Sequence, residues 1–326
     1  MRSKPADLDE SLLTSTLEAW GIEATGAAYA PVGFGDHHWI ATGADGRRWF
    51  LTAATLPAEP DERGSRAAFR ELGRALETAA ALSATLGFVV AHVPDLDGGA
   101  LLRPLAPRYA LSVFPFVEGV TGDFGDEPSD QERAQVIDLL AELHATPPPP
   151  SAPLRPLEPA GRAALERALA ETGRPWTGGP YAERARALLA RHAGALRARL
   201  RDFDRGSRDL GPLVLTHGEP HPGNLLRHRG RCLLVDWDTV GLAVPERDLW
   251  LVARTPEDLA RYAAATGRTP DPAALALYRL RWSLDDVAGY VAWFRAPHGH
   301  TRDAELSWQF LTGAVDDLAD GVASAL

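Results

Sequence analysis

Leu8, Leu12, Leu13 and Leu17 recur at helical spacing and predict a short helix over residues 8–20. The pattern then changes period. A glycine-punctuated stretch, Pro31-Val-Gly-Phe-Gly-Asp-His-His-Trp-Ile40, leads to the turn signal Asp45-Gly46 and on to Arg47-Arg-Trp-Phe-Leu-Thr52. This is the signature of a β-hairpin with a glycine-containing turn. Residues 64–86 read as a helix, and Phe88–Val93 and Ala110–Val117 as further strands. Two strands, a helix and more strands make a small α+β lobe. From Ser129 onward the pattern is mainly helical, with helices over 129–145 and 180–203, the latter carrying Leu188, Leu189, Leu196 and Leu200 on one face. Asp271-Pro272 opens another, an N-cap followed by proline, running to about Phe294. The proline run at 147–150 reads as a surface loop of the second lobe rather than a linker between domains.

Composition narrows the classes. At 326 residues, 45% hydrophobic and 24% charged, the chain suits a folded protein with room for two lobes. No run of about 18 apolar residues marks a membrane span, and the N-terminus lacks an apolar signal core. Cys232 is the only cysteine, which excludes internal disulfides and cysteine metal cages. These features point to the cytoplasm. A net charge of −10 argues against nucleic-acid binding and is compatible with a cationic small substrate, though ordinary solubility explains it equally. Lys4 is the only lysine.

The chemistry concentrates in one segment. The apolar run Leu213–Thr216 delivers His217-Gly-Glu-Pro-His-Pro-Gly-Asn224, and Asp236 follows a second apolar run, Leu233–Val235. Phosphoryl transfer needs such a set: one group to orient the attacking hydroxyl and accept its proton, and an amide and a carboxylate to hold the Mg²⁺ that neutralises phosphate charge. His217-x-Glu-x-His221 superficially matches a zinc site, but Gly218, Pro220 and Pro222 forbid the helix that would align two histidines. A purely structural hairpin is the other reading, since Gly, Pro and Asn are common turn formers. Against it stands the polar cluster with Asp236-Trp-Asp238 at suitable spacing.

The segment resembles the aminoglycoside phosphotransferase family, whose kinase-like catalytic loop has the form HGD-x-x-x-x-N followed by ID[WF]-[ED]. Here these are His217-Gly-Glu219…Asn224 and Val235-Asp-Trp-Asp238, and Pro245-Glu-Arg-Asp-Leu249 is closest to the spectinomycin phosphotransferase branch. Tyr109–Gly119 is similar to the family's strand and interlobe hinge, which places Phe114, Phe116 and Val117 beside the adenine. The resemblance implies a two-lobe protein-kinase-like α+β fold, with a nucleotide-binding lobe at 1–118 and a helical lobe at 119–326 holding the catalytic loop and acceptor site. It implies ATP- or GTP-dependent, Mg²⁺-dependent phosphorylation of a hydroxyl on a small amine-bearing molecule, as in antibiotic resistance. By position, Glu219 is the catalytic acid–base group, Asn224 and Asp236 hold the metal, and His217, Asp238 and Asp248 support the loop. Gly33 and Gly35 lie in the loop that covers the phosphates, although an ordinary hairpin turn explains that Gly-x-Gly as well.

Two positions depart from the pattern. The family's catalytic aspartate is Glu219, which keeps the carboxylate and adds a methylene. The strand lysine that grips the phosphates is Thr52, leaving Glu71 as its orphaned helix partner. Three readings follow: an arginine such as Arg48 or Arg103 supplies the charge; Mg²⁺ and backbone amides suffice; or the protein is a non-catalytic, kinase-like regulator. On the acceptor side Asp286 is the expected amine contact, near Trp282, Tyr290 and Trp293, whereas Asp285 reads as a surface pair with Arg281. Glu118, Asp123, Asp126 and Asp130 read as a solvated loop. A kinase acting on a peptide would show an open, flat acceptor face instead of an acidic pocket.

Overall fold

The computed structural model describes residues 1–56, 62–207 and 211–321. The chain forms two compact units, Met1–Leu154 with Val214–Leu242, and Arg155–Leu213 with Ala243–Leu326. The change at Leu154 falls within the proline-rich segment.

In the first unit, α1 (Ser11–Leu17) precedes β1 (Ala24–Ala30), β2 (His37–Gly43) and β3 (Arg48–Thr55). Then come α2 (Glu62–Ser83), β4 (Arg103–Ala106), β5 (Tyr109–Pro115) and α3 (Asp130–Ala145). The strands make one antiparallel sheet in the order β1-β2-β3-β5-β4. Strand alternation decides its two faces. Trp39, Ala41, Leu51, Ala53, Leu111 and Val113 enter a core with Leu13, Leu17, Trp20 and Ile22. Their strand neighbours line the opposite face in two cross-strand rows, His38–Thr52–Ser112 and Ile40–Phe50–Phe114. A fully buried leucine contributes roughly 1.5–3 kcal/mol. A one-residue slip of β3 would turn Leu51 out of the core and Thr52 in, so the register is strongly fixed.

The expected hairpin is present as β2 and β3. The N-terminal helix is shorter than predicted and closes in a 3₁₀ turn, Glu18–Trp20, at left-handed Gly21. The Phe88–Val93 strand does not form. Val90 N donates to Leu234 O at 3.1 Å, Leu234 N to Phe88 O at 2.8 Å, and Val93 N to Val113 O at 2.7 Å. The segment divides its bonds between two partners and builds no ladder. Two strands of this sheet were not anticipated. β1 is alanine-rich and owes its place to pairing with β2; β4 contains Pro104, tolerated because the strand lies at the sheet edge. α3 begins with a capping box, in which Ser129 and Glu132 satisfy each other's backbone N–H groups.

Four short strands complete the unit. β6 (Val214–Thr216) pairs with β9 (Gly241–Ala243), and β7 (Leu225–His228) pairs with β8 (Arg231–Leu234). Arg229 and Gly230 both take positive φ in the β7–β8 turn, at 49° and 77°, as a tight two-residue hairpin requires.

The second unit is helical: α4 (Arg162–Ala170), α5 (Ala182–Gly206), α6 (Glu246–Val252), α7 (Pro256–Thr266), α8 (Pro272–Arg295) and α9 (Arg302–Asp320). Leu189, Leu196 and Phe203 of α5 pack with Val287, Val291 and Phe294 of α8 and Leu311 and Val315 of α9. Asp271 caps α8 by accepting from Ala273 N, with Pro272 in its first turn.

Candidate active site

The candidate catalytic segment is stitched by its own side chains. At the end of β6, Thr216 Oγ1 donates to Gly241 O at 2.8 Å. His217 is fully buried; its Nε2 donates to Val235 O at 2.9 Å and its Nδ1 accepts from Glu219 N at 3.3 Å. Both ring nitrogens are thereby occupied, which gives His217 a structural role and removes it from any zinc site. Thr239 Oγ1 donates to His217 O at 2.8 Å, and the Trp237 ring meets the imidazole edge-on at 4.6 Å. Gly218 turns the chain at φ 104°, where a side chain would be strained. The loop before Glu219 and the loop carrying Asp236 are therefore one hydrogen-bonded unit.

Asn224 is oriented in the same way. Its Nδ2 donates to Glu219 O at 3.0 Å and to His221 Nε2 at 3.3 Å, while Val235 N donates to its backbone O at 3.1 Å. The five-residue spacing of acid and amide thus closes a loop, with the amide oxygen left as the open atom. Glu219 is pinned at its backbone N by His217 and at its O by Asn224.

Asp236 sits in a left-handed conformation, φ 64°, uncommon for a non-glycine residue and a mark of functional constraint. Its side chain keeps solvent access, yet protein closely surrounds it. This crowding, then the charges of Asp238, Glu219 and Asp36, raises its carboxyl well above the ordinary range, and it shares a hydrogen bond with Asp238. Asp36, in the glycine loop, is pushed up to about 7 by burial and by Asp238, although Thr55 N donates to its Oδ1 at 3.1 Å. Asp236 thus lies in the field of three further carboxylates, Asp238, Glu219 and Asp36. The donor chemistry fits a hard divalent cation, which takes oxygen ligands: Asp236 supplies surplus negative charge and Asn224 an oriented amide oxygen.

The remaining first-unit residues fall as follows. Gly33 and Gly35 adopt positive φ, 65° and 108°, in the loop between β1 and β2. Thr52 lies on the face opposite the core and exchanges a hydrogen bond with His38 Nδ1 at 3.1 Å. Phe114 is buried in the apolar row, edge-on to Phe50 at 6.2 Å and 3.7 Å from the His92 ring. Phe116 N donates to Arg48 O at 3.3 Å, and Val117 is half-buried just beyond. Glu71 is exposed on α2. Neither arginine proposed as a lysine substitute is free: Arg48 pairs with Glu118 at 2.6 Å and covers Phe116, and Arg103 pairs with Asp95 at 2.6 Å and Asp97 at 3.2 Å. Asp123 and Asp126 serve their own loop, with Asp123 N donating to Asp126 Oδ2 at 2.8 Å, and Asp130 pairs with Arg133.

In the second unit, Asp248 is fully buried in α6. Asp285 pairs with Arg281 at 3.3 Å and accepts from Gly161 N at 3.4 Å, the structural pairing expected for it. Asp286 is raised to about 7 by burial and by Asp285, against a bond from Trp282. Burial and Asp286 also raise the Tyr290 hydroxyl. Sequence reasoning missed Asp36 and the tie between His38 and Thr52. The signal for Asp36 was its place directly after Gly-x-Gly; the His38–Thr52 tie depends on strand register.

The model of the Phosphotransferase enzyme family matches residues 30–278. Protein StrN of Streptomyces griseus is 32% identical over 249 residues, 69% of this chain and 71% of StrN. Spectinomycin phosphotransferase APH(9)-Ia, in complex with ADP and spectinomycin, superposes with a TM-score of 0.70 at 16% identity, covering 97% of this chain and 99% of the other. Amicoumacin kinase hAmiN, in complex with AMP-PNP, Ca²⁺ and Ami, gives 0.63 at 13% identity over 98% and 95%. At such identities the structures speak to fold, and they bear out the kinase-like α+β class.

Proposed function

Because the chain belongs to the Phosphotransferase enzyme family, we propose that it transfers the γ-phosphate of ATP or GTP to a hydroxyl of a small, amine-bearing molecule. The observation that carries this reading is the closed loop of Glu219, Asn224 and Asp236, whose backbone and amide bonds fix a base and two oxygen donors together. Asp236 and the Asn224 amide oxygen would hold Mg²⁺, which supplies charge neutralisation for the phosphates when bound. Glu219 orients the acceptor hydroxyl and takes its proton. His217 and Thr239 keep the two loops in register, and Asp238 supports Asp236.

We retain 1–118 as the nucleotide-binding portion, with the base against Phe114 and the backbone of Phe116 and Val117. The portion 119–326 holds the catalytic loop and, at Asp286, a contact for the acceptor's amine. Related folds include enzymes named for spectinomycin, amicoumacin and macrolides, so an antibiotic-like acceptor is the first to test. Among the described residues no helix is long and apolar enough to cross a membrane, and we assign the activity to the cytoplasm. Thr52 keeps one second reading open, nucleotide binding without transfer.

Thermal shift with Mg²⁺ and ATP tests the proposal, followed by ³¹P NMR of ATP with spectinomycin and amine-bearing alcohols. Mg²⁺ and ATP together are expected to raise the melting temperature more than either alone. No shift at millimolar nucleotide would end the enzyme reading; a shift without transfer to any acceptor would favour binding alone.

A further inference from the structure

We infer that His38, oriented by Thr52, makes the sheet's contact to the nucleotide phosphates. The inference rests on the nucleotide reading above and answers what replaces the missing lysine.

Three observations lead to it. The five strands of the sheet contain two basic residues besides histidine, Arg48 and Arg103. Both are engaged by carboxylates, and Arg48 lies over Phe116. Lys4 pairs with Glu10 at 2.9 Å. The register then sets His38, Thr52 and Ser112 in one cross-strand row and Ile40, Phe50 and Phe114 in the next. Along β5 the apolar row lies between the polar row and Phe116, two residues or about 7 Å per row. A base held against Phe114 therefore directs its phosphates toward His38 and Thr52.

The third observation is the imidazole itself. Its Nδ1 lies 3.1 Å from Thr52 Oγ1, and its ring stacks on Phe50 at 5.1 Å and 28°. Its Nε2 faces the glycine turn, where a Cβ on Gly33 would stand only 3.3 Å away. When the Thr52 hydroxyl donates to Nδ1, the proton resides on Nε2, which becomes a fixed donor aimed beneath the loop. Among the described residues Nε2 has no protein acceptor. Burial also lowers the imidazole to about 3, so the ring meets its ligand neutral. Such a contact grips by hydrogen bonding and leaves charge neutralisation to the metal.

The test uses the full chain and compares Mg²⁺–ADP with adenosine by calorimetry. His38→Ala is expected to weaken Mg²⁺–ADP about 10- to 100-fold, the range for a hydrogen bond to a charged group, while adenosine changes less than about twofold. His38→Gln, which keeps an N–H donor, recovers part of the loss. Thr52→Val removes the orienting hydroxyl, weakens Mg²⁺–ADP severalfold without touching adenosine, and carries the test if His38→Ala does not fold. Unchanged Mg²⁺–ADP affinity in His38→Ala overturns the inference and leaves the nucleotide reading standing. Equal losses for ADP and adenosine also overturn it, since they mean a damaged base pocket. Failure of the wild-type chain to bind Mg²⁺–ADP overturns both.

Discussion

Asp236→Asn isolates the electrostatic cost of the proposed metal-binding corner. Asparagine keeps the side-chain shape and tolerates the left-handed backbone at φ 64°, but it removes one of four gathered negative charges. Burial and the charges of Asp238, Glu219 and Asp36 raise the Asp236 carboxyl above its ordinary 3.8. Between that value and the folded pKa, the folded chain binds a proton that the unfolded chain has released. Stability of the cation-free protein must therefore fall as pH rises through this window. A unit-charge pair at 4 Å interacts by about 1 kcal/mol in water and about 4 kcal/mol at a near-surface dielectric. Solvent reaches Asp236, so relief of roughly 1–3 kcal/mol is expected at pH 8. At roughly 2 °C per kcal/mol for a chain of this size, the substitution should raise the melting temperature by about 2–6 °C in EDTA. At pH 4.5, nearer the ordinary carboxylate value, the gain should be much smaller, because the shift is upward. Stabilisation by Mg²⁺ with nucleotide should be lost at either pH. Differential scanning fluorimetry across pH measures all three. A lower melting temperature at pH 8, or a gain of equal size at pH 4.5, would refute the argument that carboxylate repulsion dominates this corner.

Glu219→Gln should abolish phosphate transfer while leaving Mg²⁺–ATP binding intact; binding lost in parallel would make Glu219 a structural or metal-binding residue. Glu219→Asp should also be slower, by about a hundredfold, because the pinned backbone cannot follow the shorter side chain and about 1 Å of misplacement costs that much. A faster Glu219→Asp enzyme would show that the loop does adapt. Gly218→Ala should destabilise the chain by about 1–3 kcal/mol, since alanine at φ 104° is strained, and should lower kcat more than stability alone accounts for by displacing Glu219. Urea denaturation and steady-state kinetics check the two effects separately.

The candidate catalytic segment was legible because its geometry is local. Glu219, Asn224 and Asp236 are fixed by neighbours a few residues away or across one tight hairpin, and turn residues advertise such geometry in sequence. The helices α2, α3, α5 and α8 were legible for the same reason, through periodicity and caps. What failed depends on partners. The run Phe88–Val93 has the burial of a strand, but periodicity does not reveal that its bonds go to Leu234 on one side and Val113 on the other. β1, with its alanines, gave no propensity to read. Asp36 and His38 gain their surroundings from β3 and from Asp238, far along the chain.

The threonine at position 52 and the carboxylate of Asp36 act on one quantity, the charge that a phosphate would meet. With threonine at position 52, no lysine on the sheet offsets the triphosphate. Asp36 adds a carboxylate in the loop between β1 and β2, lifted to about 7 by burial first and then by the charge of Asp238. Under the proposed function, a nucleotide entering without a cation would meet the repulsion of these carboxylates. A bound metal would then supply positive charge that no lysine of the sheet provides. Nucleotide affinity should consequently depend on Mg²⁺ more steeply here than in a relative that retains the lysine, with the carboxylate cluster as the physical origin of that dependence.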